Sequence, residues 1–310
     1  MRNQSIRLLT ALALPAFLAA CGGQVDDEGQ VDTADLEYGA NVHKLPMADA
    51  AVKPVNTASV HLTYFGGKVI QKVKVVKVQY GAGTYASFIG GTGASTMAGF
   101  YGAVTASIHF DMLSEYNTAS PAQTISRGTY AGGFSITPAS SRNKATITDV
   151  NIQAEISAQV TAGKLPAPDD NTIYMVHFPH GKTISHGTSK SCVGGGFCAY
   201  HGTFKRNAQN VYYGVLPDMS AGSGCDTGCG SGTPFGNETS VASHELIEAV
   251  TDAEVGLATV VGKPLAWYDT ANGEIGDICN AQQGTITSGA TTYTVQKEWS
   301  NAAGACIVHK

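Results

Sequence analysis

One short stretch of the chain combines ionisable side chains at a spacing that suits metal chemistry. It reads Ser243-His244-Glu245-Leu246-Ile247-Glu248-Ala249-Val250-Thr251-Asp252. Because an α-helix has 3.6 residues per turn, His244 and Glu248 project from the same helix face, with Glu245 beside them. An imidazole and a carboxylate on one face are suitable zinc ligands, and a neighbouring carboxylate is a candidate general base. The stretch therefore predicts a metal-dependent hydrolytic site.

This helix resembles the H-E-x-x-H helix of the zincin metalloproteases, in which two histidines bind zinc and the glutamate between them is the general base. Glu248 stands here at the position of the second histidine. A carboxylate can bind zinc as an imidazole does. It also leaves the metal less positive, which weakens the activation of water, so the pattern is compatible with catalysis without requiring it.

An amphipathic helix with a solvated polar face is the simpler alternative for these residues. Apolar side chains on either side of the polar ones argue against it, because they predict that much of the helix is buried: Val241, Ala242, Leu246, Ile247, Ala249 and Val250. Buried charge is costly unless it is paired or bound to a metal.

A second acidic stretch, Gly273-Glu274-Ile275-Gly276-Asp277-Ile278-Cys279, completes the predicted site. In several zincin groups a short loop after the helix supplies the remaining ligand. We expect His244, Glu248 and Asp277 to bind the metal, Glu245 to act as general base, and Glu274 to support these ligands or replace one. An acidic turn that caps neighbouring backbone is the alternative.

Two further side chains have an open role. His201 is a candidate ligand or hydrogen-bond donor to an oxyanion, although a single histidine in a loop is more often simply hydrogen bonded. Tyr268 is a candidate hydrogen-bond donor to the transition state, as tyrosines are in some metalloproteases, or a packing residue beside Trp267. Asp252 is expected to end the helix and not to bind metal.

The first residues predict export. Arg2 and Arg7 precede an apolar run that ends at residue 20 and is short for a membrane span, as in a signal peptide. Leu18-Ala19-Ala20-Cys21 resembles the bacterial lipobox, which predicts lipidation of Cys21, and the alternative is an ordinary signal peptide with an incidental cysteine. Residues 21–57 are then a lipidated N-terminus and flexible tether, and residues 58–310 a single domain. The predicted location is the bacterial cell envelope, at the outer membrane or the cell surface.

Six cysteines remain after Cys21, an even number that predicts three disulfides in an exported protein. They are Cys192, Cys198, Cys225, Cys229, Cys279 and Cys306. The spacing does not determine the pairing. If Cys279 bonds Cys306, the loop that carries Glu274 and Asp277 is held rigidly. Metal binding by Cys225 and Cys229 is the alternative for that pair.

Charge excludes one class of partner. The formal net charge is −5, and it becomes −7 once the predicted signal peptide is removed. Nucleic-acid binding needs a concentrated basic face, which this chain lacks, so we expect no nucleic-acid partner.

The remaining pattern predicts the elements that position the site. We expect a hairpin formed by residues 60–64 and 69–80, a helix over residues 97–116 and a helix over residues 152–162 that ends at Gly163. A buried strand is expected over residues 171–178, and the signature helix over residues 240–253. The predicted fold is α+β and zincin-like, with a mixed or antiparallel sheet, an active-site helix and a disulfide-rich C-terminal half.

Several blocks together resemble the plant EXORDIUM (phosphate-induced protein) family and its bacterial relatives. They are Val-Lys-Val-Val-Lys-Val-Gln-Tyr-Gly near residue 77, Phe197-Cys198-Ala199-Tyr200-His201, Ser240 to Ala249, Ala266-Trp267-Tyr268 and Gly273 to Cys279. The resemblance covers most of the chain from about residue 58 and implies an extracellular protein. Plant members are linked with growth responses, and the family has no settled enzyme activity to transfer.

The sequence thus favours a secreted, lipid-anchored, zinc-dependent peptidase that acts on peptides or proteins outside the cytoplasm. The alternative is a non-enzymatic envelope protein in which the acidic site holds a structural ion such as Ca²⁺. A carbohydrate-associated module is a third reading, which the plant resemblance supports and the presence of only two tryptophans does not.

Overall fold

The structure is a computed structural model that describes residues 34–47 and 59–310, together with the strand backbone at 24–25 and 31–32. The helices of these residues are α1 (Ser87–Gly90), α2 (Met97–Thr105), α3 (Ile108–Asp111), α4 (Asp149–Thr161) and α5 (Pro234–Thr251). Short 3₁₀ helices span Met112–Tyr116, Val255–Leu257 and Asp277–Cys279.

The strands are numbered in chain order. They are β1 (Gln24–Val25), β2 (Val31–Asp32), β3 (Leu36–Glu37), β4 (Val42–Pro46), β5 (Thr63–Tyr64), β6 (Lys74–Tyr80), β7 (Thr118–Ala119), β8 (Ala122–Gln123), β9 (Thr129–Ile136) and β10 (Thr146–Thr148). They continue with β11 (Thr172–His177), β12 (Thr183–His186), β13 (Ser189–Lys190), β14 (Phe197–Arg206), β15 (Gln209–Leu216), β16 (Trp267–Tyr268), β17 (Gln283–Ser288), β18 (Thr291–Gln296), β19 (Glu298–Ser300) and β20 (Ala305–Ile307).

Seven strands form the largest sheet. Its order is β9, β6, β11, β15 and β14, and both β3 and β4 pair with the outer edge of β14. The four strands β9, β6, β11 and β15 run parallel to one another. The strand β14 is antiparallel to β15 and to its two outer partners, β3 and β4. The sheet is therefore mixed, and the α+β prediction is confirmed at this level.

Helices cover both faces of this sheet. Successive side chains of a strand point to opposite faces. In β11, Ile173 and Met175 join a core that includes α2 and α5, whereas Tyr174 and Val176 join a second core that includes α4. Because both faces are covered, β11 is buried along its whole length, as its predicted apolar run requires.

The helix α5 carries the signature residues, and local signals explain where it begins. The Thr233 side chain accepts a hydrogen bond from the Gly236 amide at 3.1 Å, and Pro234 occupies the first turn. Both are preferred at helix N-termini. The helix is confirmed, although it begins six residues before the predicted start and ends at Thr251.

Two predictions of local structure are wrong. The expected hairpin does not form, because β5 pairs with β16 and β6 lies between β11 and β9. A strand that is buried on both faces finds its partners in the middle of a sheet, and these come from distant parts of the chain. The expected helix over residues 97–116 is interrupted after Thr105, where the Ser107 side chain accepts a hydrogen bond from the His109 amide and starts a new helix.

The predicted tether of residues 21–57 needs a correction. Residues 36–37 and 42–46 are the strands β3 and β4 of the main sheet, and Leu45 is 5% exposed. Apolar burial and pairing with β14 hold this segment in the fold, so the predicted boundary at residue 58 is too late. The predicted signal peptide and the predicted lipidation site at Cys21 lie outside the described residues.

Three disulfides join Cys192 to Cys225, Cys198 to Cys229, and Cys279 to Cys306. The prediction of three bridges is confirmed, and metal binding by Cys225 and Cys229 is wrong because both are bonded to other cysteines. Cys198 ties β14 to the segment before α5, and Cys279 ties the acidic loop to β20. These bridges indicate an extracellular or otherwise oxidising compartment. In the described part of the chain, no helix combines the length and apolar character needed to cross a membrane.

Candidate metal centre

Four segments meet in the C-terminal half of α5. The helix supplies His244, Glu245 and Glu248, the loop before the last 3₁₀ helix supplies Glu274, and Asp277 is the first residue of that 3₁₀ helix. The strands β14 and β4 each add a histidine, and these two, His201 and His43, lie directly opposite each other in the strand pairing. The predicted residues of α5 and of the acidic loop are therefore brought together, with two further histidines.

Glu248 lies at the centre of the cluster. Its Oε2 atom is 3.1 Å from His244 Nε2, 3.6 Å from His201 Nδ1 and 3.6 Å from His43 Nδ1. Its Oε1 atom accepts a hydrogen bond from the Asp277 amide at 3.0 Å, which fixes the orientation of the carboxylate. Oε2 is consequently the oxygen that faces all three histidines.

Three groups of side chains have the spacing of metal ligands, with one donor atom from each residue within 4.8 Å of the others. They are His244 with Glu248 and Asp277, His43 with Glu248 and Glu274, and His201 with Glu245 and Glu248. Each group contains one histidine, and all share Glu248. The first group is the ligand set expected from the sequence.

The acidic loop comes close to the helix because it has glycine at two positions. A Cβ atom on Gly276 would lie 2.5 Å from His244 Nδ1 and 2.9 Å from Glu248 Oε1. Gly273 has a φ of +94°, and a Cβ there would lie 2.1 Å from Asp277 Oδ2. Asp277 Oδ2 also accepts a hydrogen bond from the Glu274 amide at 3.0 Å. The backbone of the loop therefore holds the carboxylate of Asp277 and, through the Asp277 amide, that of Glu248.

The three histidines differ in how they meet their carboxylates. His201 Nδ1 makes a hydrogen bond with Glu245 Oε2 at 3.0 Å. His43 Nδ1 lies 2.9 Å from Glu274 Oε2, and His244 Nε2 lies 3.1 Å from Glu248 Oε2, yet neither contact has hydrogen-bond geometry. Close approach without hydrogen-bond geometry is compatible with two ligands of one ion, and without an ion these contacts are histidine–carboxylate ion pairs.

Burial makes these contacts significant. The side chains of His201, His244, Glu245, Glu248 and Glu274 are at most 1% exposed. Within the described chain, the buried atoms of the cluster that have no hydrogen-bond partner are His43 Nδ1, His201 Nε2, His244 Nε2, Glu245 Oε1, Glu248 Oε2 and both oxygens of Glu274. Buried polar atoms in folded proteins are normally satisfied, so a cluster of unsatisfied donors and acceptors indicates a missing partner.

Without an ion, the charges of the cluster determine which of its side chains are protonated. Burial would lower the pKa of His244, but the neighbouring carboxylates, Glu248 first and then Glu245 and Asp277, together outweigh it and raise the pKa to about 10. Burial would likewise lower the pKa of His43, and the charges of Asp277 and Glu274 raise it well above its usual value. Burial raises the pKa of Asp277 to about 7. A cation that binds here must therefore displace protons.

Two further buried carboxylates stand outside the three donor groups. Asp252 Oδ1 accepts a hydrogen bond from the Ala266 amide at 2.9 Å, and Glu298 is fully buried on β19. Burial raises the pKa of both well above the usual range, so both are expected to be neutral acids. Asp252 directly follows the last residue of α5, as predicted.

Gln296 of β18 contacts the ring nitrogen of His244 that faces away from Glu248. Its Nε2 atom donates to the Gly276 carbonyl at 2.7 Å and lies 2.8 Å from His244 Nδ1. Which ring nitrogen of His244 carries the proton follows from the orientation of this amide.

A cavity of about 370 Å³ adjoins the cluster, with Gln296 in its wall. None of its lining residues is charged: Leu45, Pro46, Cys198, Gly228, Cys229, Gly230, Ser231, Ser240, Val241, Asn280, Ala281, Gln283 and Gln296. Ser240 is one helical turn before His244, and Leu45 is two residues from His43 on the same strand face.

Tyr268 lies on β16 at the edge of the site, with its ring centroid 6.3 Å from that of His43 in an edge-on arrangement. It is half-buried beside His43, and its two predicted roles stay predictions. His43 is the residue that sequence reasoning missed. Its signal was weak, since a single histidine in a polar stretch gives no indication that its strand pairs opposite His201.

Comparison of the chain with models of protein families, with curated proteins and with solved structures finds no match.

Proposed function

We propose that this protein is an extracytoplasmic metal-dependent peptidase with zinc bound by His244, Glu248 and Asp277. The observation that carries the proposal is the contrast within the cluster. His244 Nε2 and Glu248 Oε2 approach to 3.1 Å without hydrogen-bond geometry, whereas the predicted base, Glu245, is held in a hydrogen bond by His201. The zincin-like character of the fold, the EXORDIUM resemblance and the lipid anchor at Cys21 belong to the same proposal and rest on the sequence.

The donor set suits zinc better than calcium. Zinc accepts imidazole nitrogen and carboxylate oxygen together in a small coordination shell. Calcium takes six to eight oxygen ligands. Each of the three donor groups includes a histidine nitrogen, which favours zinc. When bound, zinc acts as a Lewis acid and lowers the pKa of water.

Glu245 is placed to move a proton. Its Oε2 atom is hydrogen bonded to His201 Nδ1, and its Oε1 atom is buried and has no partner in the described structure. Burial raises the pKa of Glu245, so this carboxyl group can take a proton and hold it. His201 therefore orients one oxygen while the other remains free to accept a proton.

The adjoining cavity supports a peptide with an uncharged side chain as the substrate. Its walls contain no ionised group to pair with a charged side chain, and an unpaired charge buried there would be costly. The volume is sufficient for a large apolar residue. We propose that an apolar residue next to the cleaved bond occupies it.

One observation favours a second function, a non-enzymatic envelope protein with a structural ion. His43 and Asp277 are the most accessible members of the cluster, with side chains 21% and 14% exposed. An ion enclosed this deeply can stabilise a fold without meeting a substrate.

Glu245→Gln separates the two functions. If the site is catalytic, hydrolysis of a peptide library should fall by roughly 10²-fold or more, because the base is lost. Metal content and thermal stability should stay near the wild-type values. His244→Ala should lose both metal and stability, since metal binding energy is also folding energy.

Glu238→Gln is the matched control, because Glu238 is an equally buried glutamate on the same helix that contacts His177 and not the cluster. It should leave hydrolysis unchanged. The peptidase proposal fails if the wild-type protein carries a full complement of ion, hydrolyses no peptide, and loses ion affinity in Glu245→Gln. The site is then a structural ion site.

A further inference from the structure

We infer that the centre holds a second divalent cation, bound by His43 and Glu274 and sharing Oε2 of Glu248 with the first. This inference rests on the proposed function, because the first cation is the one placed there at His244, Glu248 and Asp277. It assigns a metal-binding role to a strand of the N-terminal segment.

The distances around His43 suit a coordination shell. Ligand atoms that lie 2.0–2.2 Å from zinc are roughly 3.0–3.5 Å from each other. His43 Nδ1 is 2.9 Å from Glu274 Oε2 and 3.6 Å from Glu248 Oε2. Nδ1 and both oxygens of Glu274 are buried and make no hydrogen bond in the described part of the chain. These atoms face one another at ligand spacing without hydrogen-bond geometry.

The other nitrogen of His43 has the partner expected for a metal ligand. Its Nε2 atom lies 3.2 Å from Asp277 Oδ2. A histidine that binds metal through one ring nitrogen usually directs the other N–H group at a carboxylate or carbonyl oxygen. Asp277 would thus bind the first ion and orient the ligand of the second.

Glu248 can join the two ions through a single atom. Its Oε1 atom is occupied by the Asp277 amide, so Oε2 serves both His244 and His43. Ions that share a bridging ligand in two-metal sites are about 3.5–4 Å apart. The three-residue groups of His244 and of His43 have only Glu248 in common, which leaves each ion its own histidine and its own second carboxylate.

Charge balance agrees with two ions. The three donor groups contain four carboxylates, namely Glu245, Glu248, Glu274 and Asp277. Two cations match all four when the three histidines are neutral, as metal ligands must be, whereas with one cation the balance requires protonated His43 and His201. Buried charge without a counter-charge is strongly unfavourable.

Metal stoichiometry tests this inference. The purified protein would be stripped with a chelator and titrated with Zn²⁺ by calorimetry, and with Mn²⁺ for electron paramagnetic resonance. We expect two ions per chain in the wild type and a spin-coupled Mn²⁺ pair. His43→Ala and Glu274→Gln should each bind one ion and give the spectrum of isolated Mn²⁺. His180→Ala is the control and should keep both ions, because His180 pairs with Asp218 away from the site.

The outcomes separate this inference from the proposed function. One ion in the wild type that is lost in His244→Ala and kept in His43→Ala overturns the second ion and leaves the peptidase proposal standing. Two ions that persist in both His43→Ala and Glu274→Gln also overturn it. No ion in the wild type overturns both. Glu274→Gln, which preserves the shape of the side chain, decides the question if His43→Ala does not fold.

Discussion

Two buried clusters of histidine and glutamate contact α5 in the described part of the chain, and they are built differently. At the first turns of the helix, Glu238 Oε1 is 2.8 Å from His177 Nδ1, and the Tyr101 hydroxyl is 3.0 Å from His177 Nε2. Both ring nitrogens of His177 are hydrogen bonded. Two turns further along the helix, His244 contacts Glu248 through a nitrogen that has no hydrogen bond.

The difference shows which feature indicates a cation. Burial lowers the pKa of His177 to about 3 and raises that of Glu238 well above its usual value, so the pair is neutral. A protonated Glu238 can donate to Nδ1, and Nε2–H can then donate to Tyr101, which satisfies the network without an ion. Burial and proximity are common to both clusters, and buried atoms without a hydrogen bond set the cluster around Glu248 apart from the His177–Glu238 pair.

The largest expected effect is on the pH dependence of stability. The folded protein keeps His177 neutral, whereas the unfolded chain protonates it below pH 6.5. The contribution of His177 is therefore complete above pH 6.5 and is lost as the pH falls toward 3, while Glu238, whose pKa is raised, contributes with the opposite sign above pH 4.5, so the net acid slope of the pair lies below that pH. His177→Gln should flatten this acid slope in urea unfolding of metal-free protein.

The pH dependence of stability from the candidate metal centre should have the opposite sign. The raised pKa of His244 stabilises metal-free protein below pH 6.5, and this contribution disappears as the pH rises toward 10. His244→Gln should remove the loss of stability on the alkaline side of the profile, which His177→Gln should leave in place. If His177→Gln removed the alkaline loss as well, the distinction between the two clusters would be lost.

A smaller effect is expected from Gly276→Ala, which tests the fit of the acidic loop. The φ of −81° at this position suits alanine, so the added methyl group acts through its contacts with His244 and Glu248. Displaced ligands should lower zinc affinity by about 10- to 100-fold, the range seen when supporting contacts of metal sites are removed.

Gly102→Ala is the control for this substitution. Its Cβ would meet only the Tyr130 Cβ atom, at 3.9 Å. Calorimetric titration with zinc should give the wild-type affinity for this variant. Equal affinities for the two alanine variants would show that the loop does not constrain the ligands.

The smallest effect is expected at the cavity. Val241→Phe should fill part of it and shift the peptidase preference from large toward small apolar residues by about 10-fold in kcat/KM, the scale of hydrophobic pocket discrimination. Val193→Phe, at a position 46% exposed and outside the cavity, should leave the preference unchanged. Profiling with a peptide library measures both, and an unchanged preference in Val241→Phe would exclude the cavity as the substrate pocket.

Local sequence was sufficient for the parts of the site that lie on single elements. The spacing of His244, Glu245 and Glu248 predicted one helix face, and the structure places all three in one cluster. The acidic loop was also recognised, because glycine and acidic residues alternate in it. Such features depend on residues that are near in sequence.

Long-range pairing explains what was missed. His43 enters the centre only because β4 pairs with β14 and places it opposite His201, some 160 residues away in the chain. The hairpin failed for the same reason, since the partners of β6 are β9 and β11. No local pattern encodes the register of such pairs.

The position of His43 on β4 also limits how far the centre can be from a bilayer. If Cys21 carries a lipid, the chain from there to His43 can extend over at most about 75 Å. The centre would then work within that radius of its membrane, and a substrate would have to come to the envelope surface to be reached.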